Sequence, residues 1–350
     1  MEPLKRARLA RIITAVEDGR AADPALLKAG QARLPDLRIL GITGPPGSGK
    51  STLTDALATA WAEAGAEVAV LAVDPSSPYS GGAILGDRFR MRRSEGLDRV
   101  YIRSLAARGH AGGLSAATPD ICAVLASFGI DRILIETVGA GQSDVEIKDN
   151  ADCVAVVSVP GLGDGLQAAK AGIMEIGDLF VVNKADLPGA DAVTRDLTAM
   201  LHLAYRGIDG PAPAAESSTI GDLRLRARHG AGENGAVWMP PVHTVTAMSG
   251  DGVGALKDAI ERFFAWADAN RRFAARRHAM QRAQLGERTR LLFEARLAEL
   301  RIEDGDALDR WAARVLAGDC LPAEAAQGLM DAATAPEKKA AAAMRRSKGS

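Results

Sequence analysis

The sequence predicts a doubly wound α/β domain with a mostly parallel sheet, flanked by a helical N-terminal segment and a C-terminal helical arm. Three observations carry that reading. Short β-branched runs alternate with helical runs from Arg38 to about Phe264. Several of these runs are apolar at almost every position, as strands are when helices cover both faces of a parallel sheet. The first run leads through Gly44-Pro45-Pro46-Gly47-Ser48-Gly49-Lys50-Ser51 into the helical run Thr52–Trp61, the strand, glycine-rich loop and helix order of a P-loop.

Residues 1–35 form the N-terminal segment. Positions 1–30 are helical in pattern, with Leu9, Ile12, Ile13, Val16 and Leu26 as apolar positions, and Pro35 ends the segment. Residues 36–266 form the P-loop domain. Its strands are expected at Arg38–Thr43, Val68–Ala72, Val100–Arg103, Arg132–Glu136, Cys153–Ser158, Leu179–Asn183 and Val242–Thr246. Ligands of such folds gather at the carboxyl ends of the strands. Residues 207–240, rich in Gly and Pro, read as an irregular excursion around one short helix. Residues 267–350 are the helical arm, with Leu285, Leu291, Leu292, Leu297 and Leu300 at helical intervals and a basic, frayed tail from Pro336. An arm that cannot fold back completely finds a partner, most simply a second copy, so a homodimer is expected.

Composition excludes several function classes. The 350 residues are 47% hydrophobic and 25% charged, with a formal net charge of −1. No global field recruits nucleic acid or an anionic membrane. No apolar run approaches the roughly 20 residues that span a bilayer, and the charged N-terminus lacks a signal-peptide core. The cluster Arg271, Arg272, Arg276 and Arg277 could be a nucleic-acid patch, but intermixed Glu287, Glu294, Glu299 and Glu303 favour a solvated helix face. Cys122, Cys153 and Cys320 stand singly and read as buried small residues of a reducing cytoplasm. No C-x-x-C or paired-histidine spacing marks a transition-metal site.

The glycine-rich loop carries the first chemistry. Backbone N–H groups from Gly47 through Ser48, Gly49, Lys50 and Ser51 to Thr52 can curl around phosphate oxygens at a helix N-terminus, where the dipole favours anions. Lys50 supplies a point charge for the β- and γ-phosphates, and the Ser51 hydroxyl suits Mg²⁺. Pro45 and Pro46 lack N–H groups but precede the donors.

The second motif is Asn183-Lys184-Ala185-Asp186, at the end of an apolar strand. A carboxylate there can accept from both N1–H and the exocyclic amine of guanine, a pairing adenine cannot offer. Asn183 and Lys184 would tether that loop, although four such residues could also form a polar turn. Thr246-Ala247-Met248, after the last strand, fits a third base-side loop. On the metal side, Glu136-Thr137-Val138-Gly139 resembles the D-x-x-G switch of GTPases with Glu in place of Asp. Glu136 would hold Mg²⁺ through water, and the Gly139 N–H would meet the γ-phosphate. Asp74 and Asp87 follow at neighbouring strand or loop ends, where a helix cap or turn is the alternative reading.

Taken together, Gly41–Ser51, Val70–Ser77, Gly82–Asp87, Ile102–Ser104, Glu136–Gln142 and Asn183–Asp186 resemble the MeaB/ArgK family. These are SIMIBI-class GTPases that chaperone adenosylcobalamin-dependent acyl-CoA mutases, methylmalonyl-CoA mutase among them. The resemblance covers about residues 36–265 densely. It implies GTP or GDP as ligand, with Mg²⁺ held by Ser51, Asp74, Asp87 and Glu136. It also implies guanine recognition by Asn183, Lys184 and Asp186, and dimerisation through the C-terminal arm. Lys50, Glu136 and Gln142 would serve catalysis, as would Lys170, which with Gln167 matches polar positions of a third switch over Asp164–Lys170. An exposed helix start explains Gln167 and Lys170 equally well. Pro45 departs from the family's usual small aliphatic residue, and Arg103–Gly113 resembles only a subset of members, whose client can be a different mutase.

Ala140 stands where Ras-like proteins carry a water-orienting glutamine, so slow intrinsic hydrolysis is expected, with Arg90, Arg108 and Lys170 as candidate charge donors. The rival readings are a metal-insertion GTPase, disfavoured by the missing His-rich and C-x-x-C elements, and a kinase or transport ATPase, disfavoured by Asp186.

Overall fold

The strand that precedes the glycine-rich loop, β1 (Arg38–Thr43), stands at the centre of a seven-stranded sheet whose pairings are all parallel. The structure, a computed structural model, describes residues 3–18, 20, 23–74, 91, 93–94, 96–106, 117–137, 146–161, 175–205, 225, 228–230, 237–303 and 307–334. The other strands are β2 (Val68–Asp74), β3 (Val100–Ala106), β4 (Arg132–Glu136), β5 (Cys153–Ser158), β6 (Leu179–Asn183) and β7 (Val242–Val245). Their order in space is β3-β2-β4-β1-β5-β6-β7. The chain therefore winds outward to both sides of β1, and the crevice at its carboxyl end is the ligand position of doubly wound sheets.

β1, β4, β5 and β6 begin and end where their apolar runs do. β2 and β3 run on to Asp74 and Ala106, beyond the expected Ala72 and Arg103. β7 stops at Val245, because Thr246 turns into an antiparallel bridge with Asp251.

The sheet divides the core into two layers, and the period-two alternation of the strands assigns their side chains. Ala69, Leu71, Ile133 and Ile135 face one layer with α1 (Pro3–Glu17), α4 (Thr118–Ser127) and α5 (Ala190–Ala204). Val68, Val70, Ala72 and Leu134 face the other with α3 (Lys50–Glu63) and α6 (Val253–Ala269). Helices on both faces account for the continuous hydrophobicity of the strand runs.

The expected helical prelude is two helices, α1 and α2 (Pro24–Arg33). The break is chemical: Asp23 caps α2 by accepting from the Ala25 N–H at 2.9 Å, and Pro24 opens the first turn. Side chains tie α1 to edge strand β3, with Arg6 donating to the carbonyls of Leu97 and Val100 and Arg103 paired with Glu17 and Thr14.

Arg276 and Arg277 correct the solvated-face reading. They lie in the first turns of α7 (Arg272–Glu303) and reach carboxylates at the amino ends of β5 and β6. Arg277 clamps the buried Asp152 with two 3.0 Å bonds and also donates to the Leu37 carbonyl. Asp178, 0% exposed, accepts from Arg228 at 2.6 and 2.9 Å, from Arg276 at 2.8 Å and from the Val154 N–H at 2.8 Å. The guanidinium of Arg276 also lies over the Phe263 ring. Burial works to raise the Asp178 carboxyl, but Arg228, Arg276 and His229 together outweigh it and hold the group well below the usual carboxylate range.

His229 completes the network, with Nε2 2.6 Å from Asp178 and Nδ1 2.6 Å from the Tyr205 hydroxyl. An ionised Asp178 only accepts, so Nε2 carries the proton and Tyr205 donates to Nδ1. Burial pulls His229 down to about 4 against the attraction of Asp178. Because its folded value lies below the ordinary 6.5, this neutral imidazole stabilises the fold fully above about pH 6.5 and loses that contribution as the pH falls toward 4. The loss is on the order of 3 kcal/mol at the lower end. Thermal melts from pH 7.5 to 4.5 should therefore fall more steeply for wild type than for His229→Gln; parallel profiles would contradict the assignment.

Two compact units are present, Met1–Gln281 and Arg282–Ser350. In the second, α8 (Ala307–Ala317) packs on α9 (Pro322–Thr334), with Gly328 directly under the Trp311 ring. α8 buries no residue, and Leu292 and Leu316 are 73% and 88% exposed. Among the described residues no helix is long and apolar enough to cross a membrane. Cys122 and Cys153 are buried free thiols, and burial pushes Cys122 up to about 12. Cys320 is only partly covered, unlike the buried position expected for it.

Candidate nucleotide site

The loop after β1 keeps its shape because side chains are missing from it. Gly49 takes a left-handed conformation (φ 83°) before α3, and a Cβ there would lie 2.4 Å from the Asn183 amide nitrogen. Both features exclude any residue but glycine. Gly44 passes equally close to β5, where a Cβ would fall 2.1 Å from the Val157 carbonyl oxygen. The result is a tight loop that delivers Gly47, Ser48 and Gly49 to the start of α3, with Lys50, Ser51 and Thr52 in its first turn.

Lys50 is 6% exposed and its ammonium donates to the carbonyls of Gly44 at 2.7 Å and Pro45 at 3.1 Å. The loop thus holds a cation against its own carbonyls at the start of α3, an arrangement suited to bridging phosphates. The buried Ser48 hydroxyl has no hydrogen-bond partner among the described residues. A phosphate oxygen in the loop would satisfy it, which matters because an unpaired buried polar group is costly.

Glu136 reaches the same place from the neighbouring strand. β4 pairs with β1 in a register that sets Glu136 beside Ile42, and Ser51 Oγ donates to Glu136 Oε1 at 2.6 Å. Hard oxygen donors side by side, next to the phosphate cradle, form a donor set that fits Mg²⁺. Thr137 braces the turn, with its N–H on the Ile42 carbonyl and its hydroxyl 3.1 Å from Thr43. Asp74 ends β2 beyond this point, and only its backbone is described. Asp87, Gly139, Gln142 and Lys170, together with Arg90, Arg108, Ala140 and Gln167, lie outside the described residues.

On the base side, Asn183 connects three pieces of chain. Its amide nitrogen donates to the Ser48 carbonyl at 2.9 Å, and its amide oxygen accepts from the Ala247 N–H at 3.1 Å. Lys184 adopts a positive φ of 56°, unusual for a residue with a Cβ, and its ammonium reaches the Gly47 carbonyl at 3.0 Å. The Ala185 N–H is fixed on the Val245 carbonyl. Asp186 stands exposed just beyond, its carboxylate without a hydrogen bond among the described residues. Thr246, Ala247 and Met248 face this region from the end of β7, and Met248 is 77% exposed.

Sequence reasoning missed Asp55, Arg93 and Ser94. Asp55 is buried on the inner face of α3 and accepts from the backbone of Arg93 and Ser94. An acid among the small and apolar residues of that helix's buried face was the signal available for it.

Comparisons with known proteins point the same way. Residues 9–302 match the family described as methylmalonyl Co-A mutase-associated GTPase MeaB. The chain is 50% identical over 198 residues to a putative GTPase of Pyrococcus horikoshii, an alignment covering 57% of this chain and 62% of that protein. The match thus spans less than two-thirds of that relative. A probable GTPase of Mycobacterium bovis is 35% identical over 350 residues, covering 95% of this chain and 93% of its own length. A crystal structure described as LAO/AO transport system kinase has the same fold, with a TM-score of 0.56 and 24% identity over 93% of this chain and 92% of that one. A P-loop joined through Asn183 to a second loop is the architecture of a GTPase, the match extends over most of the chain, and the protein belongs to the MeaB family of methylmalonyl Co-A mutase-associated GTPases.

Proposed function

We propose that this protein binds and hydrolyses GTP, and that its nucleotide state gates cofactor loading and protection of an adenosylcobalamin-dependent acyl-CoA mutase. Methylmalonyl-CoA mutase or a related enzyme is the client. The observation that carries the nucleotide half is Asn183, which ties the phosphate loop at Ser48 to the base loop at Ala247 and leaves Asp186 exposed beside them. The client half rests on the family, whose description names the mutase.

In this reading the N–H groups of Gly47–Thr52 and the Lys50 ammonium hold the β- and γ-phosphates. Ser51 and Glu136 would hold Mg²⁺, a role the family resemblance also implies for Asp74 and Asp87, and the ion would supply charge neutralisation on the phosphate oxygens. Asn183, Lys184 and Asp186 orient guanine against Thr246–Met248. Gly139, Gln142 and Lys170 keep the switch roles that the family resemblance implies. Hydrolysis by water needs positioning and charge more than covalent chemistry. With Ala140 after the switch glycine, turnover without a partner should stay below about one per second.

Exposed Leu292 and Leu316 support homodimerisation through the C-terminal arm, and a monomer by light scattering would refute it. The free thiols of Cys122 and Cys153 support a cytoplasmic setting, which cell fractionation would test. The client proposal predicts unequal affinity for purified mutase in the apo, GDP and non-hydrolysable GTP-analogue states, since a ligand shifts a partner only by its differential affinity for two states. Equal affinities by biolayer interferometry would refute the gating role. Phosphate transfer from ATP to a substrate would instead favour the kinase reading.

A further inference from the structure

The loop Thr246–Met248 must present its peptide groups in one orientation if it is to meet a base, and two side chains from separate parts of the chain hold it. Asn183 accepts from the Ala247 N–H. The Arg93 guanidinium donates to the Ala247 carbonyl at 3.5 Å and to the Met248 carbonyl. Arg93 is itself anchored at its backbone. Asp55, 4% exposed on α3, accepts from the Arg93 N–H at 3.1 Å, the Ser94 N–H at 2.9 Å and the Ser94 hydroxyl at 2.5 Å. Asp55 belongs to the helix whose first turn carries Lys50 and Ser51. A buried carboxylate on the phosphate-side helix therefore fixes the segment from which Arg93 reaches the base-side loop.

We infer that Arg93 is a positioning residue for guanine specificity, a strut that ties the base loop to the P-loop helix through Asp55. In a trans peptide the carbonyl and the following N–H point opposite ways, so holding the Ala247 carbonyl sets the direction of the Met248 N–H. A loop ordered before the nucleotide arrives does not lose that freedom on binding, and affinity gains accordingly. Among the described residues the side chains of Arg93 and Asp55 make no hydrogen bond to Gly47–Thr52 or to Glu136, so the effect of the strut falls on the base side.

The inference rests on the guanine reading above, and the test separates the two. Wild type, Arg93→Ala and Arg93→Lys are titrated calorimetrically with GDP and ADP, their GTP kinetics are measured, and each is melted without nucleotide. Arg93 is exposed, so truncation leaves the core intact. Arg93→Ala should bind GDP about tenfold more weakly and raise KM for GTP by a similar factor, with kcat within about twofold. Its GDP-over-ADP preference should shrink, its melting temperature should hold, and Arg93→Lys should recover part of the loss. Unchanged GDP affinity in Arg93→Ala would overturn the inference alone. So would a loss of affinity shared equally by GDP and ADP, or one matched by a lower melting temperature. Failure of wild type to bind GDP would overturn the guanine reading itself, and the inference with it.

Discussion

Lys50→Ala is expected to lower GTP turnover by at least about 10²- to 10³-fold, the usual loss when a preorganised group facing developing charge is removed. The ammonium of Lys50 is buried against the carbonyls of Gly44 and Pro45, inside the loop that would surround the phosphates. No other described residue of the loop carries a positive charge: its neighbours are Gly47, Ser48, Gly49, Ser51 and Thr52. Phosphoryl transfer to water spreads negative charge over the γ-phosphate oxygens, so loss of the loop's own cation is felt most in the transition state. Single-turnover phosphate release, read beside a melting curve that confirms folding, checks this. Turnover within tenfold of wild type would show that the loop is not a catalytic phosphate site.

Asp178→Ala should cost about 3–5 kcal/mol of stability, the range found when one member of a buried ion pair is removed. The figure is large because the substitution leaves Arg228 and Arg276 facing each other, mostly buried, without their shared carboxylate. It also removes the acceptor of the Val154 N–H and of His229. A drop in melting temperature on the order of 10 °C is expected for a domain of this size. Replacing Arg276 with Met in the same chain should restore part of the loss, since fewer charges then remain uncompensated. A change under about 1 kcal/mol would contradict the account of this network. Because Asp178 and Asp152 sit at the amino ends of β6 and β5, opposite the P-loop, GDP affinity of the folded variant should remain near wild type.

What was legible in the sequence was set by local physics. The strands could be read because burial on two faces makes each one a continuous apolar run, and Arg132–Glu136 and Cys153–Ser158 coincide with their runs end to end. The P-loop and Asn183–Asp186 could be read because glycines, an amide and charges recur there at fixed spacing. The juxtaposition of Asn183 with Ser48 and Ala247, by contrast, is a consequence of strand order, which places β6 two strands from β1 and next to β7. The arginine cluster misled for the same reason. Its nearby charges in sequence are Glu287 and Glu294, which pair with Arg290, whereas Asp152 and Asp178 lie about a hundred residues upstream. Arg93 carried no signal at all, since its partners belong to a loop after β7 and a helix after β1. The cap at Asp23 was available, and reading it would have divided the N-terminal helix correctly.

The central claim is that this site selects guanine, and competitive titration of GDP against ADP on wild type and Asp186→Ala tests it most directly. Removal of a carboxylate that would hydrogen-bond two donors of the base should collapse discrimination while leaving the phosphate contacts in place. Wild type should prefer GDP by about 100-fold or more, and Asp186→Ala should lose most of that preference. Equal binding of GDP and ADP by wild type, or an undiminished preference in Asp186→Ala, would contradict it.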